Sequence, residues 1–162
     1  SEAWLNPTMG LGNANRERLI KIKGERDLTE DEEERLERST VAGANSLAQF
    51  SALVKAGVKL VGGSDCGWSY YPFGDFQGEL LALADCGLSS MQAILAGTLN
   101  SATALRLQDT TGSIEKGKAA DLLLVEGDPV EDLAALRRVT AVFKAGAPVE
   151  SARPATATAP LS

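Results

Sequence analysis

Residues 58–61 (Val-Lys-Leu-Val) run straight into Gly62-Gly63-Ser64-Asp65, and this short stretch ending on glycines and a carboxylate constrains the fold more than any other feature. A run apolar at nearly every residue, rather than at alternate ones, suits a strand covered on both faces, as in a parallel sheet. What precedes it is helical. Thr29 and Glu32 form a capping box, Leu36, Leu47, Phe50 and Val54 recur at helical spacing, and Gly57 stands where a left-handed C-terminal cap belongs. The helix is expected to end at Ala56, with a break near Gly43. Residues 3–11 read as an earlier strand running into a turn, with Pro7 at its end because proline cannot donate to a ladder. Residues 13–27, polar and interrupted by Gly24, read as a loop or frayed helix. Gly10-Leu11-Gly12 begins a dinucleotide fingerprint, but Asn15 stands where the third glycine belongs, so it reads as a turn.

After Asp65 comes an aromatic loop: Trp68, Tyr70, Tyr71, Phe73 and Phe76 place five of the chain's eight aromatic residues within nine positions. Such a loop either walls an apolar pocket or packs its own rings to stay ordered. A helix follows over Phe76–Asp85, closed by Gly87. Another opens on the capping box of Ser89 and Gln92, with Met91, Ile94 and Leu95 as its buried face, and helix restarts over 100–105. Gly112 and Gly117 mark turns. Strands at Leu122–Val125 and 139–143 flank the turn Gly127-Asp128-Pro129 and a short helical piece at 133–136. Residues 151–162, rich in Ala, Thr and Pro without periodicity, read as a disordered tail. Strands alternating with helices define an α/β layer with a parallel sheet, in which ligands gather at the C-terminal strand ends. Two strands before Leu105 cannot close a barrel or cover a sheet, so the architecture reads as incomplete.

The sequence has no histidine, which removes Ser-His-Asp triads, Cys-His dyads and histidine-ligated metal sites as complete sets within the chain. Cys66 and Cys86 are too few and too far apart for a zinc knuckle or a disulfide framework, and both read as reduced thiols. Nothing near Cys66 in sequence would lower its pKa, so it reads as inert rather than nucleophilic. With 22 acidic against 16 basic residues, a net charge of -6 and an acidic run at 30–34, neither nucleic acid nor an anionic membrane is an expected partner. No apolar run approaches the ~18 residues a membrane span requires and no secretory pattern opens the sequence, so a cytoplasmic location is expected. Asp65, among Gly62, Gly63 and Gly67, is placed to bind a metal or move a proton, or else to cap its own turn.

The segments Gly62-Gly63-Ser64-Asp65-Cys66-Gly67, Gly78-Glu79-Leu80, Thr98-Leu99-Asn100-Ser101-Ala102, Gly117-Lys118-Ala119-Ala120-Asp121-Leu122 and Gly127-Asp128-Pro129 are similar, in order and spacing, to the C-terminal part of metal-dependent amidohydrolases. The imidazolonepropionase-like and prolidase-like branch is the one most resembled. The resemblance implies a (β/α)8 barrel, with residues 1–108 as its last portion, 58–61 as the eighth strand, the strand containing Asn6-Pro7-Thr8-Met9 as the seventh, and 109–150 as part of a small β-sandwich. It implies one or two divalent metals, zinc foremost, in the complete enzyme, with Asp65 as metal ligand and proton shuttle and Trp68, Tyr70 and Tyr71 as substrate contacts. The histidine ligands of that family have no counterpart here. The reading that results is the C-terminal segment of a hydrolase for amide, cyclic amide or dipeptide-like C–N bonds, inactive alone and completed by the N-terminal portion of the same enzyme or by self-association. The alternative is a non-catalytic module that docks onto an N-terminal chain, and a weaker one is a phospho-acceptor domain with Asp65 as acceptor.

Overall fold

The computed structural model describes residues 3–67, 71 and 73–150, so Trp68, Tyr70 and the 151–162 segment lie outside the described residues. Five α-helices are described: α1 (Gly10–Glu25), α2 (Glu30–Lys55), α3 (Phe76–Asp85), α4 (Ser90–Leu95) and α5 (Ser101–Ala104), the last two joined by a π-helical turn over Ala96–Asn100. They precede strands β1 (Leu122–Val125), β2 (Val139–Lys144) and β3 (Ala147–Pro148), with a 3-10 turn at Leu133–Arg137 between β1 and β2.

The two early strands meet as a single parallel bridge, Leu5 to Leu60, in which Leu5 N–H donates to Lys59 O and Val61 N–H to Leu5 O, each at 3.0 Å. The parallel sense matches the sequence reading, but the pairing is an isolated bridge rather than a regular ladder, and Val58 and Lys59 are exposed instead of covered on both faces. The opposite edge of the second strand is met by the helices that follow. Gly62 N–H donates to Ala96 O at 2.9 Å, the Asn100 carboxamide to Leu60 O at 3.3 Å and the Ser101 hydroxyl to Gly62 O at 3.3 Å. The approach is close because two glycines face each other: a Cβ on Gly62 would lie 3.3 Å from the Gly97 Cα.

Leu60, Leu80, Leu83, Ala93, Ala96, Leu133 and Leu136 form one buried cluster, so the strand pair, α3, α4 and the 3-10 turn share a core. β1, β2 and β3 form an antiparallel sheet in that order, with Leu123 opposite Val142 and a shift of register between Leu124 and Val125.

Both capping boxes form as expected, and Gly57 and Gly87 adopt the positive φ of 76° and 105° that C-terminal caps need. Four expectations are corrected. Residues 13–27, read as a loop or frayed helix, are regular helix as far as Glu25: α1 spans 16 residues, with Leu19 buried against its neighbours. Its start is unmarked in sequence because Met9 makes no side-chain cap and the first turn carries no acidic residue. Gly43 does not break α2; it sits where the Arg16 guanidinium crosses, and a Cβ there would collide with it. The fully buried residues of this helix are Ala93 and, in the following turn, Ala96; of the expected face, Ile94 packs partly buried against the core while Met91 is 45% exposed, because small residues let the helix approach the strand closely. Helix does not restart at Asn100 but continues through the π turn, whose wider winding brings Asn100 and Ser101 onto the strand edge.

Candidate active site at the strand ends

Asp65 follows the second strand by four residues and is exposed to solvent. Its φ of +49° is left-handed, a conformation rare outside glycine though tolerated by Asp. Thr8, after the first strand, has the same φ of +49°. Two strained non-glycine residues therefore stand at the C-terminal ends of two paired parallel strands, where functional groups collect and where backbone strain is retained only if the surroundings enforce it. Asn6 belongs to the same rim. A Cβ on Gly63 would collide with the Asn6 carboxamide, which therefore lies over the backbone two residues before Asp65. Asn6 was not singled out from sequence; an amide side chain before a proline at a parallel strand end was the available signal.

The aromatic loop divides. Phe73 is 82% exposed, and its ring covers Gly67, where any Cβ would strike it. Tyr71 is turned inward at 1% exposure, with its hydroxyl donating to Asp75 O at 2.6 Å, and burial pushes its pKa up to about 12. Gly67 N–H donates to Tyr71 O at 2.9 Å, closing the loop just beyond Asp65. Asp75 joins this loop to the C-terminal β unit: its side chain accepts from Gly78 N–H, capping α3, and pairs with Arg137 of the 3-10 turn at 3.1 Å. The expected substrate contact at Tyr71 is thus a buried ring in the structure, and of the two described rings of this loop Phe73 is the one that reaches solvent.

Glu79, on α3, is completely buried. One carboxylate oxygen accepts from Gly10 N–H at 2.6 Å and the other has no hydrogen-bond partner. Burial raises its pKa, against the opposing pull of the backbone N–H groups of Gly10, Met9 and Thr8. Both cysteines are free thiols. Cys86 is buried, donates to Met9 Sδ at 3.1 Å and is pushed up to about 11 by burial, which makes it unreactive.

Among the described residues no three His, Cys, Asp or Glu side chains converge to hold a metal ion. A lone exposed carboxylate does not fit an ion that uses four or more ligands, so no chemical step is assigned to a metal on this chain. Two described clefts lie elsewhere. One of about 440 Å³ opens beside Trp4, Lys59 and Leu95, and one of about 760 Å³ runs between α3–α5 and β1, lined by Phe76, Leu80, Ile94, Leu105 and Leu122. Neither is lined by Asp65.

Parallel-bridged segments followed by helices, with an exposed carboxylate beyond the second, form an α/β arrangement, and comparison with known proteins names the family. The Amidohydrolase family profile matches residues 13–149, and the chain belongs to that family. The chain is 43% identical over 53 residues to an imidazolonepropionase of Picrophilus torridus, covering 33% of this chain and 14% of that protein. It is 38% identical over 69 residues to the imidazolonepropionase of Desulfotalea psychrophila, covering 41% and 17%. Among solved structures, a Xaa-Pro dipeptidase with bound methionine matches with a TM-score of 0.72 at 30% identity, over 92% of this chain and 35% of that one. Molinate hydrolase matches with a TM-score of 0.61 at 30% identity, over 65% and 26%. The matched region thus spans 14–17% of those two curated relatives and 35% of the solved dipeptidase. No helix among the described residues is long and apolar enough to cross a membrane.

Proposed function

We propose that this chain is the C-terminal portion of a C–N bond hydrolase, in which its strand pair supplies the last two strands of a (β/α)8 barrel and β1–β3 supply part of a small β-sandwich. The observation that carries the reading is Asp65, exposed and left-handed at the end of a strand paired in parallel, within a chain of the Amidohydrolase family. The relatives named imidazolonepropionase and Xaa-Pro dipeptidase support cyclic amides and dipeptide-like amides as the substrate class.

Asp65 is the proton carrier. As a water oxygen bonds to the carbonyl carbon, its carboxylate accepts the water proton; as the C–N bond breaks, it returns that proton to the leaving nitrogen, so that the net change is addition of water. The chain has no histidine to perform this transfer. The divalent metal implied by the resemblance, zinc foremost, belongs to the complete enzyme, with its further ligands on polypeptide outside this chain. Phe73, with the sequence-predicted Trp68 and Tyr70, borders the substrate mouth.

Completion by further polypeptide, the N-terminal portion of the same enzyme or a second copy, is supported by apolar surface. Ile114 is 89% exposed, Leu105 70%, and Leu123, Leu124 and Val142 of the sheet are all exposed. The same surface, with no ligand cluster among the described residues, favours the second reading of a non-catalytic docking module. One experiment separates them: hydrolysis of imidazolones and Xaa-Pro dipeptides by the full polypeptide, with and without Asp65→Asn. We expect a loss of about a thousandfold or more in kcat for the variant. Wild-type activity left intact by Asp65→Asn would refute the assignment, and no hydrolysis by either would leave the docking module.

A further inference from the structure

Glu79 is a buried titratable group that the proposed reaction does not use. It sits in the first turns of α3, yet it acts on another element: its carboxylate meets the N-terminus of α1 at Gly10, 69 residues earlier, at 2.6 Å. α1 has no cap of its own, because the Met9 side chain makes none. A carboxylate at a helix N-terminus satisfies orphan donors and the positive end of the helix dipole, and more strongly when water is excluded. Gly10 is enclosed from the other side, since a Cβ there would collide with the Tyr71 hydroxyl. The segment ahead of Gly10 contains the left-handed Thr8 and then Asn6, whose carboxamide lies over Gly63.

We propose that Glu79 is a positioning residue: its buried carboxylate, holding the Gly10 N–H, fixes segment 6–10 so that Asn6 stays over Gly63 and constrains the backbone that presents Asp65. The enzymatic part of this inference rests on the hydrolase reading above; the structural part does not.

The test uses the full polypeptide, with hydrogen exchange read by fragment alongside kinetics. In Glu79→Ala, exchange should accelerate at 8–10 and also at 63–65, while α2 is unchanged. Glu79→Gln keeps an acceptor for Gly10 and should restore protection at both segments. In hydrolysis, Glu79→Ala should lower kcat about tenfold with KM within about twofold, and Glu79→Gln should recover most of it, because misplacing a reacting group costs rate more than binding. Faster exchange confined to 8–10, or a Gln variant as impaired as Ala, would overturn the proposal. If Glu79→Ala does not fold, Asn6→Ala decides: it should accelerate exchange at 63–65 and spare 8–10, and unchanged 63–65 would overturn the coupling. If wild type cleaves none of the amides tested, the hydrolase reading fails, while the exchange data still judge this inference.

Discussion

The close approach of strand and helix can be tested by filling it. A Cβ on Gly97 would lie 2.8 Å from Leu80 Cδ2 and 2.9 Å from Phe76 Cε1, where real contacts do not occur. Leu80 is only 6% exposed and belongs to the core cluster, so it has little room to swing away. Overpacking of this kind costs about 1–3 kcal/mol, and the better helix propensity of alanine returns up to about 1 kcal/mol. Gly97→Ala should therefore destabilise by about 1–2 kcal/mol. Leu80→Ala alone should cost about 2–5 kcal/mol by leaving a cavity. That cavity opens where the new methyl points, so the double variant should be more stable than the sum of the single losses by about 1 kcal/mol. Urea unfolding followed by far-UV circular dichroism measures all three. Additivity within about 0.5 kcal/mol, or a stabilising Gly97→Ala, would show that Leu80 does not press on the π turn and refute the reasoning.

Four further outcomes are expected. Thr29→Ala, which removes the α2 capping box, should cost about 1 kcal/mol at neutral pH in the same unfolding assay. Arg26 and then the Thr29 N–H hold the Glu32 carboxyl down to about 2 from 4.5, so its contribution is fully present above 4.5 and lost as pH falls toward 2; a pH series of thermal melts that showed the opposite trend would refute this. Zinc titrated calorimetrically into the 17.0 kDa chain alone should show no stoichiometric sub-micromolar site, and a tight site lost in Asp65→Asn would contradict the ligand geometry. In light scattering the chain should self-associate or elute with a second polypeptide, and a compact, cooperatively melting monomer would contradict the need for cover over Leu123, Leu124 and Val142.

The elements that were legible in sequence carry their signals locally. Thr29 and Ser89 announce helix starts through their own hydroxyls, Gly57 and Gly87 announce ends through their own φ, and Leu122–Val125 is a short apolar run set off by turn residues on either side. What escaped was determined by partners distant in sequence. α1 begins where a carboxylate 69 residues away supplies the cap, and the stretch beside it is too polar to show an apolar face. Gly43 suggests a break only until Arg16 is brought across it. The buried face of α4 inverts the hydrophobic ranking, because a close strand selects Ala93 and Ala96 over Met91.

The same division runs through the candidate site. The exposed position of Asp65 beyond the second strand was legible because a strand end fixes where a following carboxylate must stand, whereas Glu79 shows in sequence only within the resemblance. Its signal was available: it lies four residues before Leu83 and seven before Cys86, on the stripe that α3 buries. A carboxylate on an apolar stripe must find donors, since its burial without them costs several kcal/mol, on the order of the whole stability margin of a domain. Sequence could say that a donor was needed but not that it would be the Gly10 N–H. That choice depends on the parallel bridge of Leu5 with Leu60, which sets the end of the first strand within reach of α3. The bridge that precedes Asp65 thus also brings Glu79 to the segment ahead of α1, so the candidate site and its proposed support trace to one pairing.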